Sequence, residues 1–349
     1  AFKLGDAPQQ HEKDPDEVDF SGEEEDSYHI MQKAVIIGGP TASGKTALAL
    51  SIANRLPVEI ISADSRQLFI GLDIVSAKPS SEELKQVLHH LISTYDPAQK
   101  VTAADWSKKA ETLISEVTQR GNIPLVVGGS GLYIQALTNP LDEMPTVDPL
   151  LREHWNAVFK KYGVSPLQRA LKEKDPEYYQ RVDKQNHVRI IRALEITESS
   201  GRKYSEWRKE KTNTNRSISF LKFKTCMDRS DLYKRINSRV DQMVNDGLVK
   251  EARSFHSKRG LNSLETIGYK ELFDHFEGKI DLDFAVEKIK QHTRNFAKRQ
   301  IMRYPAFAQG FLLVPGRNPI IPRGSPIVRP FGQPLEAMAR HLFQGLADI

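Results

Sequence analysis

Gly39, Pro40, Thr41, Ala42, Ser43, Gly44, Lys45 and Thr46 have the spacing of a phosphate loop, a glycine and four residues followed by Gly-Lys-Thr. The chemistry this spacing allows is polyanion binding. Glycines let consecutive backbone N–H groups turn inward, and a following helix adds partial positive charge. Lys45 brings a full charge to the outermost phosphate, and Thr46 offers a hydroxyl to Mg2+. The pattern specifies a polyphosphate without saying which one, and a glycine-rich turn with no ligand is its bland counterpart. Two further polar clusters stand at the ends of apolar runs, Ser62-Ala63-Asp64-Ser65 after residues 58–61 and Gly128-Gly129-Ser130-Gly131 after residues 123–127. Asp64 could serve as a base or merely cap a helix; Ser130 could bond a ligand or only form a turn.

These residues need a scaffold that brings strand ends together. Over residues 33–139 short apolar runs (34–37, 58–61 and 123–127) alternate with helical stretches at 46–55 and 103–120. Runs apolar on both faces predict a parallel sheet covered by helices, with ligands at the carboxyl ends of its strands. From residue 141 to 201 the chain reads as all helical, jointed by Pro145, Pro149, Pro166 and Pro176. Its clearest helix opens on the N-cap Asn186 and closes near Gly201. Residues 217–225 alternate and return to a β pattern. Helices follow at 230–246, with Arg235 and Arg239 on one face, and at 284–303. The latter is expected to bury Val286, Ile289, Thr293, Phe296 and Ala297 and to present Lys290, Arg294 and Lys298 as a basic stripe. The fold class is therefore α/β: a phosphate-loop NTPase-like parallel sheet flanked by helices, with an all-helical insertion. The expected division is a leader at 1–31, a core at 32–140 and 202–305, the insertion at 141–201, and an irregular Pro-rich tail at 306–349 with a short helix at 335–346.

Charge and composition narrow the function classes. Residues 1–30 hold ten acids against Lys3 and Lys13, a net −8, so the remainder carries +13 of the total +5. The acidic segment is expected to be a disordered extension or leader, with Met31 as a natural start. A basic body fits a polyanionic partner, nucleic acid first, with a solvated lysine surface as the alternative. Cys226 is the single cysteine, which excludes disulfides within the chain and a Cys-rich zinc site. No run approaches the roughly 18 apolar residues of a membrane span, and no secretory signal is visible, so a cytoplasmic monomer is expected.

Seven blocks occur together in order: the phosphate loop; Ile61-Ser62-Ala63-Asp64-Ser65-Arg66-Gln67; Ala77-Lys78-Pro79; Val127-Gly128-Gly129-Ser130-Gly131-Leu132-Tyr133; Arg239-Val240-Asp241-Gln242-Met243; Thr266-Ile267-Gly268-Tyr269-Lys270; and Lys298-Arg299-Gln300. In these blocks the chain resembles the tRNA dimethylallyltransferases, also called tRNA isopentenyltransferases. The resemblance implies transfer of a dimethylallyl group from dimethylallyl diphosphate to N6 of adenosine 37 in a tRNA anticodon stem-loop, with Mg2+ as cofactor. It implies catalytic roles for Asp64 as general base and for Ser130 and Arg239, with Arg239, Lys45 and the loop on the diphosphate. It also implies tRNA contacts from Asp64, Ser65, Arg66 and Gln67 to a flipped adenine, with Ser130 beside them. Arg152, Val188, Arg189, Ile190, Ile191 and Arg192 would hold the anticodon arm, and Gly268, Tyr269, Lys270, Lys298, Arg299, Gln300 and Arg303 the loop side. Ser130 replaces the family's usual threonine and keeps its hydroxyl; Met302, Arg303 and Tyr304 stand where aromatic residues are usual. Other functions compatible with the phosphate loop are a small-molecule kinase, a transferase acting on free adenylate as in cytokinin synthesis, and a nucleotide-switched RNA-binding protein. The helical insertion favours tRNA over a free nucleotide, and the third class has no need for Asp64.

Overall fold

The computed structural model describes residues 32–139, 144–208, 218–303 and 311–315; the expected leader and the 335–346 helix lie outside these residues. In chain order the first half runs β1 (Gln32–Gly38), α1 (Lys45–Ala53), β2 (Val58–Ser62), α2 (Ser81–Gln86), β3 (His89–His90), α3 (Ala103–Gln119), β4 (Ile123–Gly128) and α4 (Gly131–Thr138). A helical stretch follows: α5 (Pro149–Tyr162), α6 (Ser165–Lys174), α7 (Pro176–Arg181), α8 (His187–Ser200) and α9 (Tyr204–Trp207). The chain then returns through β5 (Ile218–Cys226), α10 (Arg229–Asn245), α11 (Leu248–Phe255), α12 (Tyr269–Phe276), α13 (Leu282–Arg303) and β6 (Phe311–Pro315).

All strand pairs in the sheet are parallel, in the order β3-β2-β4-β1-β5-β6. Because side chains alternate along a strand, Ala34 and Ile36 of β1 enter the core shared with α3 and α4, while Val35 and Ile37 enter the core beneath α1. Burial on both faces is why these strands read as unbroken apolar runs. Two departures concern short pieces. β3 is two residues long and too short to carry a pattern, and the tail read as irregular contributes β6, paired to β5 in register with Lys222 opposite Phe311.

The helical stretch has a core of its own, with Leu167, Leu171, Ile190, Ile191 and Leu194 buried and Trp155, Phe159 and Tyr178 against them. Asn186 caps α8 by accepting from Arg189 N, and Gly201 ends it in the left-handed conformation at φ 67.

Candidate active site

β1, β2 and β4 end side by side, so the phosphate loop, the turn after Ser62 and the double glycine after Val127 meet at one edge of the sheet. Glycine is required at this meeting point. A Cβ on Gly128 would lie 2.1 Å from Ala63 O, and one on Gly39 2.0 Å from Thr225 Oγ1. Trp106, fully buried and stacked on Tyr133 at 4.9 Å, donates to Ser62 O at 3.0 Å and holds the end of β2 from behind.

The phosphate loop is tied down by its own chain. Ser43 Oγ donates to Pro40 O at 2.8 Å and meets Thr225 Oγ1 at 2.6 Å. Gln300 accepts from Thr41 N at 2.8 Å and donates to Gly129 O at 2.9 Å. Gly44, at φ 89, begins α1 without a side-chain cap, leaving the helix N-terminus to a ligand. Lys45 Nζ donates to Pro40 O at 2.6 Å. Burial pushes the Lys45 ammonium down to about 8; Asp64 opposes that shift and Arg239 adds to it. Burial likewise lowers Arg239, against the pull of Asp64.

A cavity of about 370 Å³ opens over these groups, lined by residues 41–47, Asp64, Gln67, Gly129, Arg235, Arg239 and Phe296. Three cations around a helix N-terminus make an anion site; Asp64, Glu83 and His89 also line the cavity, and of these Asp64 is the one whose charge acts on both Lys45 and Arg239. Asp64 Oδ1 accepts from Arg66 N at 2.9 Å and from Gln67 N at 3.4 Å, whereas Oδ2 takes no hydrogen bond among the described residues. The carboxylate thus caps its own turn and still offers an oxygen. Ser130 Oγ accepts from Ser65 N at 3.0 Å, which locks the Asp64 turn to the start of α4.

The expected RNA-contact residues divide. Ser65 is part-exposed beside Asp64, and Val188, Arg189, Lys270, Lys298 and Arg299 are exposed; Arg303 has no described side chain. Gly268 packs its backbone against Val75, leaving 2.9 Å for a Cβ. Ile190, Ile191, Tyr269 and Gln300 are buried, which corrects the sequence reading for these four, and Arg66, Gln67, Arg152 and Arg192 carry hydrogen bonds or ion pairs within the protein. Ile190 and Ile191 are core residues of the helical stretch. Tyr269 is fully buried and donates to Glu251 at 2.9 Å; burial, then Glu251, raises its phenol. Gln300 is buried and committed to backbone. Gln67 accepts from Ser62 Oγ and donates to Ser76 O and Ala77 O. Arg66 ties the Asp64 turn to the carbonyls of Asn262, Ser263 and Glu265. Arg152 and Arg192 both pair with buried Glu195. In the expected basic stripe Lys290 is neutralised by Asp241 and Glu287, at 2.7 and 2.8 Å, and Arg294 donates to Asn237. Phe296, expected in the core, is 39% exposed and faces the cavity; the core side of α13 is carried by Ala285, Ile289 and Ala297. Arg235 was missed as a cavity residue, although its place one helical turn before Arg239 was the available signal.

Comparison with known proteins adds independent findings. The family model described as IPP transferase matches residues 67–303. The tRNA dimethylallyltransferase of Flavobacterium johnsoniae is 41% identical over 277 residues, covering 78% of this chain and 89% of that protein. That of Geobacillus thermodenitrificans is 38% identical over 281 residues, covering 78% and 87%. Among solved structures, the tRNA isopentenylpyrophosphate transferase of Bacillus halodurans superposes with a TM-score of 0.63 at 33% identity, over 91% of this chain and 97% of that one. A eukaryotic dimethylallyltransferase acting on tRNA gives a TM-score of 0.68 at 25% identity, over 81% and 74%.

Proposed function

The chain belongs to the IPP transferase family, that of the tRNA dimethylallyltransferases, and from that premise we propose that it moves a dimethylallyl group from dimethylallyl diphosphate to N6 of adenosine 37 in tRNA. The observation that carries this reading is the cavity shared by the phosphate loop, Arg239 and Asp64, in which an anion cradle and a carboxylate face one space. The diphosphate lies at the N-terminus of α1, with Lys45, Arg239 and Arg235 as its cations. Their charge is worth most as the C1–O bond of the donor breaks and both electrons pass to the leaving diphosphate. The lone pair of N6 forms the new bond to C1, and the N6 proton goes to Asp64 Oδ2, the oxygen that the turn does not use. Ser130 acts on this step through the Asp64 turn it locks.

The donor set also fits Mg2+. Among the described residues no three His, Cys, Asp or Glu side chains could cage an ion, and Mg2+ typically binds through one or two protein oxygens plus substrate phosphates. Thr46 is among the hydroxyl residues lining this cavity and is the one that the Gly-Lys-Thr spacing assigns to the ion. When bound there, Mg2+ neutralises charge on the diphosphate.

An adenine stacked in its loop cannot reach Asp64, so the base is flipped out to react. The helices over 149–207, with Val188 and Arg189 outward, grip the anticodon arm, and Lys270, Lys298 and Arg299 meet the loop. Incubation with labelled dimethylallyl diphosphate, Mg2+ and either a stem-loop carrying A36-A37-A38 or free AMP tests the reading. Label on the stem-loop alone supports it; equal labelling of AMP moves the substrate to free adenylate, and labelling of neither refutes transfer.

A further inference from the structure

Residues 73–79 form a wall of the cavity through Ser76, Ala77 and Pro79, yet belong to no helix or strand. Three consecutive amides at the start of this loop converge on one carboxylate. Asp73 N and Ile74 N donate to Glu251 Oε2 at 3.0 and 2.6 Å, and Val75 N donates to Oε1 at 3.0 Å. Oε1 also accepts from the buried hydroxyl of Tyr269 at 2.9 Å. Successive amides turned toward one point make an anion nest, and here the anion is the protein's own side chain. The bonds are charge-assisted, so they hold the loop more strongly than neutral partners could.

The rest of the loop is braced from the other side. Gln67 Nε2 donates to Ser76 O and Ala77 O at 3.4 and 3.2 Å, and Gln67 Oε1 accepts from Ser62 Oγ at 2.9 Å. A run of hydrogen bonds therefore extends from α11 through the loop to the end of β2, two residues before Asp64. Ala77 is held at φ 47, a left-handed conformation that a non-glycine residue keeps only when its surroundings force it. Gly268 completes the packing, since a Cβ there would come within 2.9 Å of Val75 Cγ2.

We propose that Glu251 is a positioning residue for the transfer reaction: by filling the amide nest at 73–75 it fixes the Ser76–Pro79 wall, and with it Gln67 and the Asp64 turn, against the reacting groups. This rests on the function proposed above. It also gives Gly268 a role behind the wall in place of the RNA contact expected of it.

Glu251→Gln keeps the size of the side chain but turns an NH2 toward backbone donors. Displacements of about 1 Å can cost on the order of 100-fold in rate. Its kcat on the stem-loop is expected to fall about ten- to hundredfold, while the affinity for inorganic diphosphate, held by Lys45 and Arg239, stays within about twofold. Tyr269→Phe spares all three amide bonds and should keep kcat within a few-fold. Gly268→Ala disturbs Val75 from the opposite side and should reproduce the kcat loss without loss of diphosphate binding, which keeps the test open should Glu251→Gln fold poorly. Wild-type kcat in Glu251→Gln, or parallel loss of transfer and diphosphate binding in both variants, overturns the positioning role. A wild-type chain that prenylates no stem-loop overturns the function instead.

Discussion

Lys45 stands where burial opposes charge. Its ammonium is pushed down to about 8 by burial, so the free chain begins to lose this proton at a pH where an ordinary lysine is fully charged. A bound diphosphate favours the charged form, and binding therefore takes up a proton once the pH exceeds that value. The sign follows: affinity for dimethylallyl diphosphate is flat below pH 8 and falls above it, approaching tenfold per unit. Titration of the donor across this range should show the fall, and Lys45→Arg, which stays charged, should flatten it. A wild-type profile flat up to pH 10 would remove Lys45 from the diphosphate. Lys45 and Asp64 were legible because a motif or a strand end marks them. Glu251 was not, since an acid on an amphipathic helix has no signature until the amides it receives are placed, and Arg66 and Gln67 sit in a readable motif whose carbonyl partners, at 262–265 for Arg66 and at 76–77 for Gln67, only the fold reveals.

Among the elements, the joint between β2 and β4 leaves least room. Gly128→Ala places a methyl 2.1 Å from backbone that cannot rotate away. Overpacking typically costs about 1–3 kcal/mol, occasionally more, so thermal unfolding should drop by several degrees and transfer should be lost. Gly260→Ala, with nothing within 4 Å of the new methyl, should leave both unchanged; equal effects would mean that the joint tolerates separation. The strands were readable because burial on both faces gives unbroken apolar runs, and α8 because Asn186 and Gly201 mark its ends. β3 and β6 were not, since each is defined by the strand it pairs with and not by its own pattern. Phe296 misled because its 3.6-residue spacing places it beside Ala297, while the cavity takes the edge of that face.

At the scale of the whole molecule, the basic surface is less uniform than its net charge implies. Lys290 is already paired with Asp241 and Glu287, whereas Lys298 is exposed. Each phosphate contact contributes about 0.7 (single strand) to 0.9 (duplex) to the salt slope of nucleic-acid binding. Lys298→Ala should lower the stem-loop slope by about one, and Lys290→Ala should leave it unchanged; equal slopes would make the charge a diffuse surface property. Among the described residues no helix is long and apolar enough to cross a membrane. The organisation that matters is the convergence of three strand ends, two arginines of α10 and one face of α13 on a single cavity, where the proposed reaction assigns the departing diphosphate and the incoming amine to different residues. The most direct measurement compares Asp64→Ala with wild type for label transfer to the stem-loop and for stem-loop binding. The expected result is transfer reduced by at least about 100-fold with RNA affinity nearly unchanged. Transfer persisting at the wild-type rate would show that Asp64 is not the base and contradict the division of labour in the cavity.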